Sequence, residues 1–360
     1  MENRIRIKDI AKKAGVSTGT VDRVIHERGN VSVKARQKVL KVMDELGYER
    51  NIMASTLAYN RSFRIAVLLP DYQSDIYWAQ PKQGVEKAQR SLQHYGVVVD
   101  FYFFDLFDPN GFLSQVQKMW EKKPDGILFA PVFLQESQQL LEKSKEEQIP
   151  NVMINTRIET EDSLCYIGQH SRQSGTLAAR LLDLLLKDGQ SALLLNLARE
   201  VTNAQHLLDK EKGFREYFTQ NNTKDIQIIN CNFSQFQDDQ KLSAFLNRIL
   251  KDHPDIGGIF VTNSRVYRVV ECLNERLSSR IKLVGFDLID PNLKLLQQGQ
   301  IHFIINQNPV QQGYLGVVNL VNHLILKQEV EPIQYLPLDI VMKENVDYYL
   351  RREQSFQMVI

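Results

Sequence analysis

Residues 9–24 read DIAKKAGVSTGTVDRV, two short amphipathic segments joined by a tight turn, and the organisation of the chain follows from them. Apolar side chains recur at Ile7, Ile10, Ala11 and Ala14, the spacing of one helix face, while Lys8, Asp9, Lys12 and Lys13 fall on the other. Gly15 can take a positive φ and end that helix, after which Val16 packs into the angle between the two helices. Ser17 is a suitable N-cap for the second helix, whose inward face is Val21, Val24 and Ile25. Thr18, Gly19, Asp22 and Arg23 then point outward from its first turns. A third helix is expected from the cap Ser32 to Gly47, with Val33, Val39, Leu40, Val42, Met43 and Leu46 as its apolar stripe. Three such helices closing on Ala11, Val16, Val21, Val39 and Leu46 make a minimal all-α globule. The outward N-terminal residues of a second helix so placed are where a helix-turn-helix reads base edges.

Charge is distributed in keeping with that reading. Residues 1–62 hold thirteen Lys and Arg against seven Asp and Glu, and the rest of the chain thirty-one against thirty-six. A basic head on a mildly acidic body confines polyanion contact to the head. At 360 residues, two or three compact units are expected. No apolar leader or run of about 18 apolar residues is present, so a cytoplasmic protein with no membrane contact is expected. Cys165, Cys231 and Cys272 are widely spaced, which points to three buried, reduced thiols and to no metal site.

The segments IKDIAKKAGVSTGTVDRVIH, NVSVKARQKVLKVMDELGYERN and NIMASTLA resemble the DNA-binding head of the lac repressor and gal repressor family of bacterial transcription regulators. The resemblance implies base contacts from Thr18, Gly19, Asp22 and Arg23, and backbone contacts from Ser17, Thr20, His26, Asn30 and Ser32. It also implies that Asn51 to Ala58 is a hinge, with Leu57 wedged into the minor groove. Gly19 offers no side chain where relatives often carry a reading residue. Asp22 puts a carboxylate where a small hydroxyl is common, so the operator is not transferable from a relative.

From Phe63 onward short apolar runs alternate with amphipathic helical stretches, the pattern of parallel sheets with crossover helices. The runs are 64–70, 97–104, 126–131, 152–155 and 165–168, then 191–196, 226–231, 257–262 and 281–287, with a last one at 336–342. The order resembles the periplasmic sugar-binding fold that serves the same family as effector domain. The expected fold class is a small all-α helix-turn-helix head plus an α/β body of two lobes, each a doubly wound parallel sheet. The expected division is a helix-turn-helix domain over 1–50, a hinge over 51–62 and an effector domain over 63–360. Its N-terminal lobe takes about 63–168 and 308–334, its C-terminal lobe about 169–306 and 335–350, with crossings near Gly168, Gln307 and Gln334.

Ligands of doubly wound sheets bind outside the carboxyl ends of the strands. The residues expected there are Asp71, Tyr77, Trp78, Asn155, Arg157, Asn263, Asp287 and Gln307. By the resemblance, an aromatic at Tyr77 or Trp78 stacks on a sugar ring, and Asp287 grips hydroxyls; an N-cap role is the rival reading for Asp287. Asn155 stands where relatives carry Asp, and Ser264 where an acid often follows Asn263. The Arg that the family usually offers before Gly213 is missing, leaving Arg199, His206 or Lys210 as substitutes. His206 and His323 have no evident partner in the sequence. No nucleophile elbow, P-loop or metalloprotease motif occurs, so no catalysis and no cofactor are expected.

The residues and the resemblance together point to a homodimeric, ligand-responsive regulator of transcription. Its partners are double-stranded DNA with a pseudo-palindromic operator and a small-molecule effector, expected to be a carbohydrate. The competing reading is a DNA-bound regulator whose body answers to a non-sugar ligand or a protein, or serves only as scaffold.

Overall fold

The computed structural model describes residues 6–25, 29, 31–46, 62–199, 205–221, 224–273 and 275–355. They belong to two compact units, Met1–Arg61 and Ser62–Ile360.

In the first unit, α1 spans Ile7–Ala14, α2 Thr18–Ile25 and α3 Val33–Glu45. Gly15 ends α1 with φ +66° and donates its N–H to the carbonyl of Ala11, a left-handed cap that a side chain would strain. Ser17 Oγ accepts from Thr20 N–H at 3.1 Å, and Ser32 Oγ accepts from Ala35 N–H at 3.3 Å. Both capping expectations are met. Ile10, Ala11, Val21, Val24, Val39 and Val42 are buried together, with Val16, Met43 and Leu46 packed against them. Two members of the expected stripe are not inside: Val33 is 75% and Leu40 48% exposed. Leu40 lies about 100° round the helix from Val39, off the face that meets α1 and α2, and Val33 sits in the first turn.

The second unit contains two six-stranded sheets. The first is built from β1 (Phe63–Pro70), α4 (Ala79–Leu92), β2 (Val97–Phe104), α5 (Pro109–Glu121), β3 (Gly126–Phe129), α6 (Leu134–Glu146), β4 (Asn151–Ile154) and β5 (Cys165–Gly168). The second follows with α7 (Ser171–Leu185), β6 (Ser191–Asn196), α8 (Gln205–Asn221), β7 (Gln227–Asn232), α9 (Asp239–Asp252) and β8 (Ile256–Val261). It continues through α10 (Val266–Cys272), α11 (Glu275–Arg280), β9 (Lys282–Phe286), α12 (Asp290–Gln297) and β10 (Phe303–Asn306). The chain then returns through α13 (Pro309–Val321) and β11 (Ile333–Tyr335) to the first sheet, and through β12 (Asp339–Val341) to the second, before α14 (Val346–Ser355).

Strand order is β11-β5-β4-β3-β1-β2 in one sheet and β12-β10-β9-β8-β6-β7 in the other. The central strands are covered on both faces, which is why they read as unbroken apolar runs. Every residue of β3, β4, β6 and β8 is buried. All pairs in the first sheet are parallel, but β12 joins the second antiparallel to β10, an edge strand that departs from the expected all-parallel order. Cys165 and Cys272 are buried as expected; Cys231, on the edge strand β7, is only half-buried.

Candidate functional site

A cavity of about 370 Å³ lies at the carboxyl ends of both sets of strands in the body. Two of its polar residues have an unusual backbone. Asn155, directly after β4, and Asp287, directly after β9, both have φ of +67°. Asn and Asp tolerate this left-handed region better than other side-chain-bearing residues. Each lobe thus turns one short polar side chain into the cleft from an equivalent place.

The aromatic wall is set by a single 3₁₀ turn, Ile76–Trp78. Asp75 Oδ1 caps it, accepting from Tyr77 N–H at 3.2 Å, and the two rings pack edge-to-face at 5.0 Å. Both are buried to within 5% of full coverage while lining the cleft. Asn155 Nδ2 donates to Tyr77 Oη at 2.7 Å, and Asn155 Oδ1 accepts from the Thr156 hydroxyl at 3.2 Å. Burial, with the carboxylate of Asp287 nearby, pushes the Tyr77 phenol well above its usual range, so it is present as O–H.

Two glutamines tie the crossings to Asp287. Gln169 Nε2 donates to Gln307 Oε1 at 2.5 Å, and Gln307 Nε2 donates to Asp287 Oδ2 at 2.9 Å. Asp287 is 1% exposed, and its Oδ1 has no hydrogen-bond partner among the described residues. Burial raises its carboxyl to about 7, opposed chiefly by the charge of Lys210. The N-cap alternative is excluded, because Ile289 occupies that position of α12 and no side chain caps it.

Arg199, His206 and Lys210, the three candidates to replace the missing Arg, all line the cleft, and Lys210, on α8, lies deep in it. It is 2% exposed, donates to the carbonyl of Thr262 at 2.9 Å and stands 3.7 Å from the centre of the Phe286 ring. Burial lowers it to about 8, and Asp287 pulls in the opposite direction. His206 does have a partner: its Nδ1 lies 3.3 Å from the Thr156 hydroxyl, across the cleft. Burial, then the charges of Lys210 and Arg265, depress its imidazole to about 3, so the ring is neutral at ordinary pH.

Six of the eight expected residues, Tyr77, Trp78, Asn155, Asn263, Asp287 and Gln307, line this cleft. Asn263 does so with its side chain engaged, donating to Leu197 O at 3.0 Å and accepting from Arg265 N–H at 3.2 Å. Asp71 is not among the lining residues; its carboxylate accepts from Gln73 N–H at 2.9 Å and closes the turn after β1. Arg157 lines an adjoining chamber instead and donates to Tyr335 Oη at 3.4 Å. Asp75 and Arg265 were not foreseen. Arg265 stacks over Phe236 at 4.6 Å, donates to Leu197 O at 3.1 Å and forms an ion pair with Asp75. Their side chains are 13% and 12% exposed, and the pair joins the two lobes across the cleft.

On the head, Thr18, Gly19 and Arg23 are exposed on the outer face of α2, and Asp22 is half-buried. Ser17 and Thr20 hydroxyls lie 2.9 Å apart and hold the start of that helix. His26, Asn30 and Leu57 fall outside the described residues, as does the stretch 51–58.

Comparison with known proteins agrees with both units. Residues 6–51 match the family of bacterial regulatory proteins, lacI family, and residues 65–328 match the periplasmic binding protein domain. A Bacteroides fragilis crystal structure described as a LacI transcriptional regulator is 30% identical and superposes with a TM-score of 0.73 over 80% of this chain and 100% of that one. The chain belongs to the lacI family of bacterial regulatory proteins. Among family members, the ribose operon repressor of Halalkalibacterium halodurans is 27% identical over 94% of this chain and 96% of its own length. The transcriptional regulator DegA of Bacillus subtilis is 37% identical over 41% of this chain, a match that spans only 43% of DegA. The lacI-family body also superposes, with a TM-score of 0.71 and 26% identity, on a solute-binding protein of an Agrobacterium vitis transporter bound to α-D-tagatopyranose, covering 81% of this chain and 98% of that one. Family members named in these comparisons are transcription regulators. Among the described residues no helix is long and apolar enough to cross a membrane.

Proposed function

We propose that this lacI-family chain is a cytoplasmic, homodimeric transcription regulator that senses a carbohydrate in the interlobe cleft. The head, 1–50, places Arg23 and its neighbours in the major groove of each half of a pseudo-palindromic operator. The segment 51–62 is the hinge, with Leu57 at the operator centre, and 63–360 is the sensor. Two heads are needed because one recognition helix touches too few base pairs for useful specificity.

The observation that carries the sensor reading is the Asp287 carboxyl group, buried with one oxygen unsatisfied in a cleft that Trp78 also lines. A buried acceptor without a partner costs about 1–3 kcal/mol, and a ligand hydroxyl would recover that. The bound tagatose of the Agrobacterium vitis protein supports a sugar as the occupant of this fold. A body serving only as scaffold has no use for such an acceptor. Closure on the ligand would set the spacing of the two hinges. To drive states from 1:99 to 99:1, the ligand must prefer one by about 5.5 kcal/mol.

Thermal melting of the full chain against hexoses, pentoses, disaccharides and sugar phosphates tests the proposal. A raised melting temperature for at least one sugar, abolished by Asp287→Ala, is expected, together with a change in operator affinity on adding that sugar. Melting curves unmoved by every sugar would leave the sensor reading without support.

A further inference from the structure

A second chamber, of about 530 Å³, adjoins the cleft. Leu134, Gln169 and His206 belong to the walls of both spaces, so the two adjoin along these side chains. The first alone already has the size of a small-molecule site, which runs to roughly 300–1,000 Å³. A single sugar ring gripped at Asp287 therefore leaves the second unexplained.

The shared wall is polar and incomplete. Gln169 is 3% exposed, and while its Nε2 donates to Gln307, its Oε1 has no partner among the described residues. Like Asp287 Oδ1, it is a buried acceptor awaiting a donor. On the far side stands Tyr335, 45% exposed, its ring 4.9 Å from that of His170 and 6.2 Å from that of Tyr166. Arg157 Nη1 donates to Tyr335 Oη at 3.4 Å.

We infer that this chamber is a subsite for a second sugar ring, and that the ligand of the cleft is a disaccharide. The inference rests on the carbohydrate reading of the cleft. A pyranose has an apolar C–H face that suits an accessible aromatic ring, and adjacent hydroxyls that suit a guanidinium fork. Asp287, on the cleft wall, and Gln169, on the wall shared by both spaces, each hold an acceptor oxygen without a partner among the described residues, which hydroxyls of the ligand would satisfy. The charges of the chamber disfavour an anion such as a phosphate. Arg157 and Arg172 are balanced by Glu159 and Asp209 on the same walls, and Arg172 is already held by both carboxylate oxygens of Glu216 at 2.6 Å. His170 uses its Nδ1 to accept from Gln173 N–H at the start of α7.

Calorimetric titration of the full chain tests this with maltose, cellobiose, lactose, sucrose and trehalose, each beside its component hexoses, and with glucose 6-phosphate. At least one disaccharide is expected to bind about tenfold or more tighter than either of its hexoses. Tyr335→Ala should erase that ratio while leaving hexose affinity unchanged, Tyr335→Phe should keep it, and Asp287→Asn should weaken both ligands. Equal affinities for disaccharide and hexose, with Tyr335→Ala silent, would overturn the second subsite and leave the sugar sensor standing. Tightest binding by glucose 6-phosphate, lost in Arg157→Ala, would replace it with an anion subsite. No binding by any of these sugars would overturn the carbohydrate reading together with the subsite.

Discussion

Replacing Gly175 by Ala should damage the body at two levels at once. Gly175 on α7 faces the backbone of α8 so closely that a Cβ there would lie 1.9 Å from the carbonyl oxygen of Lys210. Gly213 on α8 meets the carbonyl of Arg172 at the same 1.9 Å. Real Cβ contacts stay beyond 3.0 Å, so the two helices would have to part by more than 1 Å. Because the obstructing atom is backbone, the cost belongs at the upper end of the overpacking range, about 3 kcal/mol. Greater helix preference of Ala offsets up to about 1 kcal/mol of that. A net loss of about 2 kcal/mol lowers the melting temperature by roughly 3 °C for a domain of this size. The same displacement moves Lys210, whose Nζ is 2.9 Å from Thr262 O, so ligand affinity should fall as well. Thermal unfolding followed by far-ultraviolet circular dichroism, with and without the sugar that stabilises the wild type, measures both effects. Gly19→Ala on α2 is the control, since the nearest atom to its new Cβ is Ser17 Oγ at 3.9 Å, and it should be neutral or slightly stabilising. A Gly175→Ala protein that melts with or above the wild type would refute the close-packing argument.

Three further outcomes are expected. The folded Asp287 carboxyl keeps its proton to about pH 7 while an unfolded one releases it near pH 4, so the native state binds more protons between these values and loses stability as pH rises through them. His206, depressed to about 3, gives the opposite slope from its ordinary value near 6.5 downward, so the difference between wild type and Asp287→Asn isolates the carboxyl; a difference that does not change across pH 4 to 7 would contradict its burial as an acid. Arg265→Met should leave the Asp75 carboxylate uncompensated in a largely buried setting, disfavouring closure by about 3 kcal/mol and raising the radius of gyration in X-ray scattering; an unchanged scattering profile would mean that the ion pair does not hold the lobes. On DNA selected from a random pool by the wild type, Arg23→Ala should lose about 1–3 kcal/mol of preference per half-site, and affinity should fall steeply between about 50 and 200 mM salt. Salt-insensitive binding would count against the basic head.

How far the sequence reveals this molecule depends on the distance over which each residue acts. Strands such as 165–168 and 191–196 could be bounded to the residue, because a strand buried on both faces leaves an uninterrupted apolar run. β11 is three residues long and half-exposed, and carries no periodic signal to find. Val33 and Leu40 fit the apolar spacing of α3 yet face outward, since a bundle of three short helices covers only one narrow face of each. In the cleft, Asn155 and Asp287 were readable because they follow strands directly, where the fold puts ligands. The same rule points to Asp71, but a further turn of chain carries the cleft position to Asp75. Arg265 could not have been inferred, for its partner lies 190 residues away in the other lobe. The sequence offers Lys210 only as one of three substitutes for a lost Arg. Its depth became visible once α7 and α8 were seen to meet at their glycines.

The return of the chain through β11 and β12 bears on how the body is made. β11 completes the first sheet beside β5, and six residues after it starts β12 completes the second beside β10. A growing chain emerging from the ribosome therefore exposes the apolar edges of β5 and β10 until residues 333–341 are free. Neither lobe can finish ahead of the other, although their first strands are synthesised more than a hundred residues apart. A message truncated shortly before codon 333 would yield two unfinished sheets instead of one intact lobe, and such products are substrates for proteolysis and aggregation.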